Sequence, residues 1–285
     1  MKILNGKELA TKIKDTLKII VDDMNRNNQP ICLAVIQVGD NKASSVYVKN
    51  KENACRYVGI ESKIFNLDEN ITEDDLIKLI HDLNNNDDVH GILVQLPLPK
   101  SINENKIIQS ITPEKDVDGF HEMNVGKLMI GEESFIPCTT KGIIELLEQN
   151  NIEIEGQNCV VVGRSNIVGK PTAIELLHNN GTVTICHSKT KGLKEICRKA
   201  DILVCAIGKP KFFNKDYISP NTVVIDVGIH KLDDGSLCGD VDFDDVKDIV
   251  SAITPVPGGV GAMTVAMLME NCIQAALLKY KNTKK

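Results

Sequence analysis

Short apolar runs rich in β-branched residues alternate with stretches of helical periodicity along nearly the whole chain, which restricts it to α/β architectures built on parallel sheets. The opening stretch carries Leu9, Ile13, Leu17, Ile20 and Met24 at helical spacing, and Cys32-Leu33-Ala34-Val35-Ile36 follows as a buried strand. Lys63 to Leu67 and the run Gly91 to Pro99, stopped by its two prolines, read as further strands, separated by a helix with Leu76, Leu79, Ile80 and Leu83 behind a Thr72/Asp75 capping box. Residues 121–138 lack a clear period and read as an irregular crossing between domains. A helix from Thr139 to Asn150 opens a second series, with strands at Asn158–Val162, Thr182–Cys186, Asp201–Ala206 and Thr222–Val227.

At 285 residues the chain holds two domains at roughly 100 to 200 residues each. Hydrophobic residues make up 42% and charged residues 25%, the composition of a globular protein. A formal net charge of -6 and the absence of Trp argue against a nucleic-acid partner. Nine cysteines are scattered without a CxxC pair or a zinc-type Cys/His cluster, so no metal is expected and free thiols suit a cytoplasmic, reducing setting. The opening lysines interrupt any signal-peptide core and no run approaches the length of a membrane span, so no membrane partner is expected.

Two stretches carry candidate chemistry. In Gly39–Lys51 (GDNKASSVYVKNK) a helix starting near Ala43 puts Ser44, Tyr47 and Lys51 on one face, a hydroxyl, a polar-tipped ring and an amine suited to hold a flat substrate and move a proton. The same spacing fits a core tyrosine, a snorkelling lysine and a turn-capping serine. Gln95 is the odd polar residue inside an apolar run, so it sits at the strand's carboxyl end facing a cleft or bonds neighbouring backbone. Asp116 reads as a turn residue before Gly119, whereas Asp118 is also placed to point into that cleft.

The second stretch is Val162-Gly163-Arg164-Ser165-Asn166-Ile167-Val168-Gly169-Lys170-Pro171, a strand, glycine turn and helix start where a pyrophosphate finds free backbone N–H groups and a favourable helix dipole. It departs from GxGxxG, since Ser165 and Val168 replace the later glycines. The following strand ends in Cys186-His187-Ser188-Lys189 without the acid that would accept from an NAD ribose, while Ser188, Arg164 and Lys189 are suited to a 2′-phosphate, which favours NADP. His187 contributes there or serves as a structural histidine. Near the end, Pro257-Gly258-Gly259 allows backbone to approach a flat ligand, and Thr264 is read as the N-cap of the last helix.

Taken in order, VGDNKASSVYVKNK, GILVQLPLP, KDVDGF, VVVGRSNIVGKP, CHSKT, VVIDVGI and TPVPGGVGAMT resemble the bifunctional methylenetetrahydrofolate dehydrogenase/cyclohydrolase family nearly end to end. The resemblance implies two α/β domains flanking a cleft, the second a Rossmann-like doubly wound parallel sheet. The expected catalytic, folate-binding domain is 1–121, joined by a C-terminal helix at 265–285, and the NADP-binding domain is 139–264. The implied chemistry is NADP-dependent oxidation of 5,10-methylenetetrahydrofolate and hydrolysis of the methenyl product to 10-formyltetrahydrofolate by a homodimer. Lys51 is then the catalytic amine, Tyr47 the ring packed on folate, Gln95 the partner of Lys51 and Asp118 the pterin anchor. Ser44, Pro257, Gly258 and Gly259 complete the folate site, and Gly163, Arg164, Ser165, Ile167, Val168, His187, Ser188 and Ile229 hold NADP. Thr140 and Ala262 stand where the family usually has proline. Two other readings remain, a dehydrogenase of another small substrate using Tyr47 and Lys51 as a YxxxK pair, and a non-catalytic dinucleotide sensor.

Overall fold

A computed structural model of the chain describes residues 1–283. In chain order its first elements are β1 (Lys2–Ile3), α1 (Gly6–Arg26), β2 (Cys32–Val38), α2 (Lys42–Val58), β3 (Glu61–Leu67), α3 (Glu73–Asn84), β4 (Gly91–Val94), α4 (Glu104–Ser110) and α5 (Glu122–Ile130). There follow α6 (Cys138–Gln149), β5 (Asn158–Val162), α7 (Gly169–His178), β6 (Thr182–Cys186), α8 (Leu193–Cys197), β7 (Ile202–Cys205) and β8 (Val223–Asp226). The hairpin β9 (His230–Lys231) and β10 (Leu237–Cys238), then α9 (Phe243–Val246), β11 (Ala252–Ile253) and α10 (Val260–Thr283), complete the chain.

The chain divides into two compact units. One holds Thr11–Lys127, Glu133–Cys138 and the chain from Val265 onward, around a parallel sheet in the order β3-β2-β4. Every residue of β2 is buried, which explains its apolar run from Cys32 to Ile36, since a central parallel strand is covered on both faces. Ile36, Ile80, Ile92 and Ile107 pack in the core of this unit. Thr72 caps α3 by accepting from Asp75 N at 3.1 Å, while its hydroxyl donates to Asp75 Oδ2 at 2.6 Å, so the acid meets the hydroxyl of the cap in place of the backbone N–H of a full capping box.

The other unit holds Met1–Ala10, Leu128–Glu132 and Thr139–Thr264, around a six-stranded sheet ordered β1-β11-β8-β7-β5-β6. All its pairings are parallel, and Val160, Leu203, Phe213 and Val224 are among its buried core. The domain expected from the resemblance runs from residue 1 to 121, whereas Lys2 and Ile3 pair with Ala252 and Ile253, so the first ten residues group with the six-stranded unit. A two-residue strand has no periodicity to reveal its partner.

Three other expectations change. Residues 121–138 include the helix α5, started by His121, whose Nδ1 accepts from Met123 N at 3.1 Å. Asp116 opens the expected turn, its O accepting from Gly119 N at 3.1 Å, and its carboxylate, buried at 1%, also accepts from His121 N and Asn124 Nδ2, both at 2.8 Å, so it braces that helix start. The last helix begins at Val260, and Thr264 lies inside it, donating back to Val260 O at 3.1 Å rather than capping it. Between Val260 and Lys281 this helix is also long and apolar enough to cross a membrane, with hydropathy 1.4, which overturns the expectation that no run nears that length. Its most apolar window is 61% buried within the chain, as a core helix would be.

Candidate active site

Asn41 Oδ1 accepts from Ser44 N at 3.1 Å and starts α2 immediately after the turn that ends β2. Along the helix Ser44 is buried at 5%, Tyr47 is 36% exposed and Lys51 is half-buried. The ring of Tyr47 is thus open on one side, and burial of the remainder raises its phenol pKa. Ser44, expected to offer a hydroxyl to substrate, faces inward.

Lys51 Nζ donates to Gln95 Oε1 at 3.0 Å, joining α2 to the segment just past β4. Gln95 is held at both ends: its backbone N donates to Ile36 O at 2.8 Å and its Nε2 to Leu96 O at 2.7 Å. The amide oxygen therefore meets the lysine because its nitrogen is already committed to backbone. Asp118 lies within the field of the Lys51 ammonium. Burial raises the Asp118 pKa, the ammonium lowers it, and the neighbouring Asp116 raises it.

Two residues that sequence reading passed over support Asp118. Cys138 Sγ donates to Val117 O at 3.3 Å and lies 3.9 Å from Asp118 Oδ1. Fully buried Asn271 on α10 donates through Nδ2 to Val117 O at 2.9 Å and to Ile136 O at 3.1 Å. A cysteine among nine scattered ones and an asparagine within a mostly apolar helix gave no local signal.

Pro257, Gly258 and Gly259 belong to the six-stranded unit, where Lys7 N donates to Gly258 O at 2.8 Å. In the same unit the glycine turn follows β5 and leads into α7. A Cβ on Gly163 would overlap the carbonyl oxygen of Ala206, so only glycine lets β7's exit pass this close. Arg164, Ser165 and Asn166 are exposed and Ile167 and Val168 half-buried, while Ser165 Oγ accepts from Val168 N and Gly169 N, both at 3.2 Å. Gly163 N donates to Cys186 O at 2.9 Å, setting this turn beside the end of β6. There His187 is half-buried and Ser188 and Lys189 are exposed, and no acid occupies positions 186–189. His187 Nδ1 accepts from Lys189 N at 3.1 Å, a structural bond that fixes the ring over this turn. Ile229, 38% exposed, stands just past β8. An exposed turn at a helix N-terminus, with a guanidinium and a hydroxyl beside it and no carboxylate, fits a phosphorylated dinucleotide.

Residues 4–118 match the tetrahydrofolate dehydrogenase/cyclohydrolase catalytic domain, and residues 137–280 match the NAD(P)-binding domain of the same group. The bifunctional protein FolD of Acetivibrio thermocellus is 58% identical over 280 residues, covering 98% of each chain. The crystal structure of the bifunctional enzyme FolD, a methylenetetrahydrofolate dehydrogenase/cyclohydrolase from Campylobacter jejuni, superposes with a TM-score of 0.96 at 48% identity, covering 98% of this chain and 99% of that one. The Trypanosoma brucei methylenetetrahydrofolate dehydrogenase-cyclohydrolase, solved with NADP and an inhibitor, superposes with a TM-score of 0.93 at 35% identity over 98% of both chains.

Proposed function

This chain belongs to the tetrahydrofolate dehydrogenase/cyclohydrolase family, and we propose from that premise that Lys51, Tyr47, Gln95 and Asp118 carry both of its reactions. It is a bifunctional enzyme that oxidises 5,10-methylenetetrahydrofolate with NADP and hydrolyses the methenyl product to 10-formyltetrahydrofolate. When bound, NADP supplies a nicotinamide ring that accepts the hydride lost by the folate methylene carbon. Arg164 and Ser188 bind its 2′-phosphate in this reading, and Gly163 with the N-terminal turn of α7 receives the pyrophosphate.

The Lys51–Gln95 bond at 3.0 Å carries the proposal. With Gln95 accepting one of its protons, the amine keeps a fixed direction, and its position beside Tyr47 and Asp118 suits the proton transfer needed when water adds to the methenyl carbon. Tyr47 packs its open face on the folate. Asp118 accepts from the amino and ring N–H edge of the pterin, as a carboxylate accepts from an arginine fork. Folate contacts from Pro257, Gly258 and Gly259 belong to the same proposal.

The proposal extends to a homodimer assembled through the six-stranded unit and working in the cytoplasm. The exposed edge strand β6 supports the first, and nine free, buried cysteines suit the second. Lys51→Met tests the site. The variant should lose hydrolysis of supplied methenyltetrahydrofolate by about a hundredfold or more, while an NADPH titration gives the wild-type affinity. Undiminished hydrolysis removes Lys51 from the mechanism.

A further inference from the structure

We propose that Asp240 is a positioning residue of the NADP site: its buried carboxylate holds the loops leaving β7 and β8 in the arrangement the cofactor requires. The inference rests on the dinucleotide part of the function proposed above. Asp240 is 0% exposed, a setting in which an ionised group persists only when hydrogen bonds surround it. Its Oδ2 accepts from Ile207 N at 2.6 Å and Gly208 N at 3.0 Å, and its Oδ1 from Lys209 N at 2.8 Å and His230 Nε2 at 2.8 Å.

Consecutive backbone N–H groups converging in this way form an anion-holding nest. Here the protein fills the nest with its own carboxylate, so the turn after β7 is committed to shape and leaves phosphate binding to the turn at Gly163.

A second aspartate locks the first. Asp226, at the end of β8, accepts from Gly228 N at 3.0 Å, Asp240 N at 2.9 Å and Val241 N at 2.9 Å. A Cβ on Gly228 would overlap the Asp240 carboxylate, and one on Gly239 would overlap that of Asp226. Each aspartate therefore packs against the glycine beside the other, with no room for a side chain between them.

The two anchored loops are those that border the dinucleotide. Ala206, at the start of the first, touches Gly163 of the phosphate turn. His230, held by Asp240, directly follows Ile229, whose side chain is in turn so close to Gly261 that a Cβ there would lie 2.8 Å from Cδ1. In an open parallel sheet the ligand lies outside the carboxyl ends of the strands, where both loops stand. One carboxylate thus sets the relative position of Ala206–Lys209 and Gly228–His230.

Asp240→Asn keeps the size but turns an N–H₂ toward backbone N–H groups, and His230→Leu, which has no donor, removes a single anchor. NADPH fluorescence titration should give a dissociation constant raised about tenfold in Asp240→Asn and about threefold in His230→Leu, with the KM for NADP following and kcat falling less. Hydrolysis of supplied methenyltetrahydrofolate should stay within about twofold of wild type, because it draws on Lys51 in the other unit and needs no dinucleotide. Unchanged NADPH affinity in both variants overturns the proposal, as does hydrolysis that falls in step with affinity, the mark of a general loss of structure. Should Asp240→Asn fail to fold, His230→Leu decides by the same criteria. A wild-type protein that binds NADPH but turns over no folate defeats the proposed function and leaves this inference to the titration.

Discussion

Arg164 stands exposed at the start of the turn between β5 and α7, and Ser188 stands exposed past the end of β6, which Gly163 N joins through Cys186 O at 2.9 Å. No carboxylate stands at positions 186–189 to select an unphosphorylated ribose or repel a 2′-phosphate. In the proposed site, removing the guanidinium deletes a charged bond that only NADP can make. Arg164→Ala should therefore raise the KM for NADP about tenfold and change that for NAD by less than about twofold, measured on methylenetetrahydrofolate oxidation. Equal losses would count against a 2′-phosphate contact. Gln95 is legible in sequence because an amide inside an apolar run needs a partner, whereas Lys51 and Arg164 were singled out by the helical spacing and the glycine turn around them. Cys138, Asn271 and Asp240 were not, because each acts on backbone groups that are remote in the chain, such as Ile207–Lys209 for Asp240.

At the scale of elements, α10 is fastened to the three-stranded unit partly through its last turns. Tyr280 OH donates to Pro30 O at 2.7 Å, and its ring lies 5.3 Å from that of His90, at the entrance to β4. His90 is buried at 4%, accepts from Cys32 N through Nδ1 at 3.3 Å, and among the described residues its Nε2 has no hydrogen-bond partner. Burial, then the ammonium groups of Lys279 and Lys115, push its pKa from 6.5 down to about 4, against a smaller opposing pull from Asp88. The unfolded chain takes up this proton below pH 6.5 and the folded chain only near pH 4. Stability from a neutral His90 is thus complete above pH 6.5 and lost as pH falls toward 4, by about 3 kcal/mol in all. Urea titrations should show that decline in the wild type and a curve flatter by that amount in His90→Asn, whose side-chain oxygen still accepts from Cys32 N. Parallel curves would refute it. The strand and helix alternation was legible because burial writes its period into the sequence. The start of α10 was not, since Gly261, Ala262 and Met263 carry no stop and Thr264 bonds its own helix, and α5 was hidden because its start depends on His121 and Asp116.

For the whole molecule, assembly turns on how the six-stranded sheet ends. β1 pairs with β11, a match between the first residues and a strand some 250 positions later that no local pattern reveals. At the opposite edge stands β6, with Thr182 and Thr184 exposed and Ile185 42% exposed, whereas β5 beside it is buried from Cys159 to Val162. Leu177, at the end of the adjoining α7, is 54% exposed. An edge strand offering apolar side chains without charge or proline is one that other chains pair with unless it is covered. A second copy of the same edge is the proposed cover, since twofold symmetry lets one patch complement itself. Light scattering should give about twice the 31.3 kDa chain mass for the wild type. Ile185→Lys sets a like charge against its symmetry mate and should give the single-chain mass, with NADPH affinity within about twofold of wild type. A wild-type mass of one chain, or an unaltered dimer in Ile185→Lys, would exclude β6 as the contact.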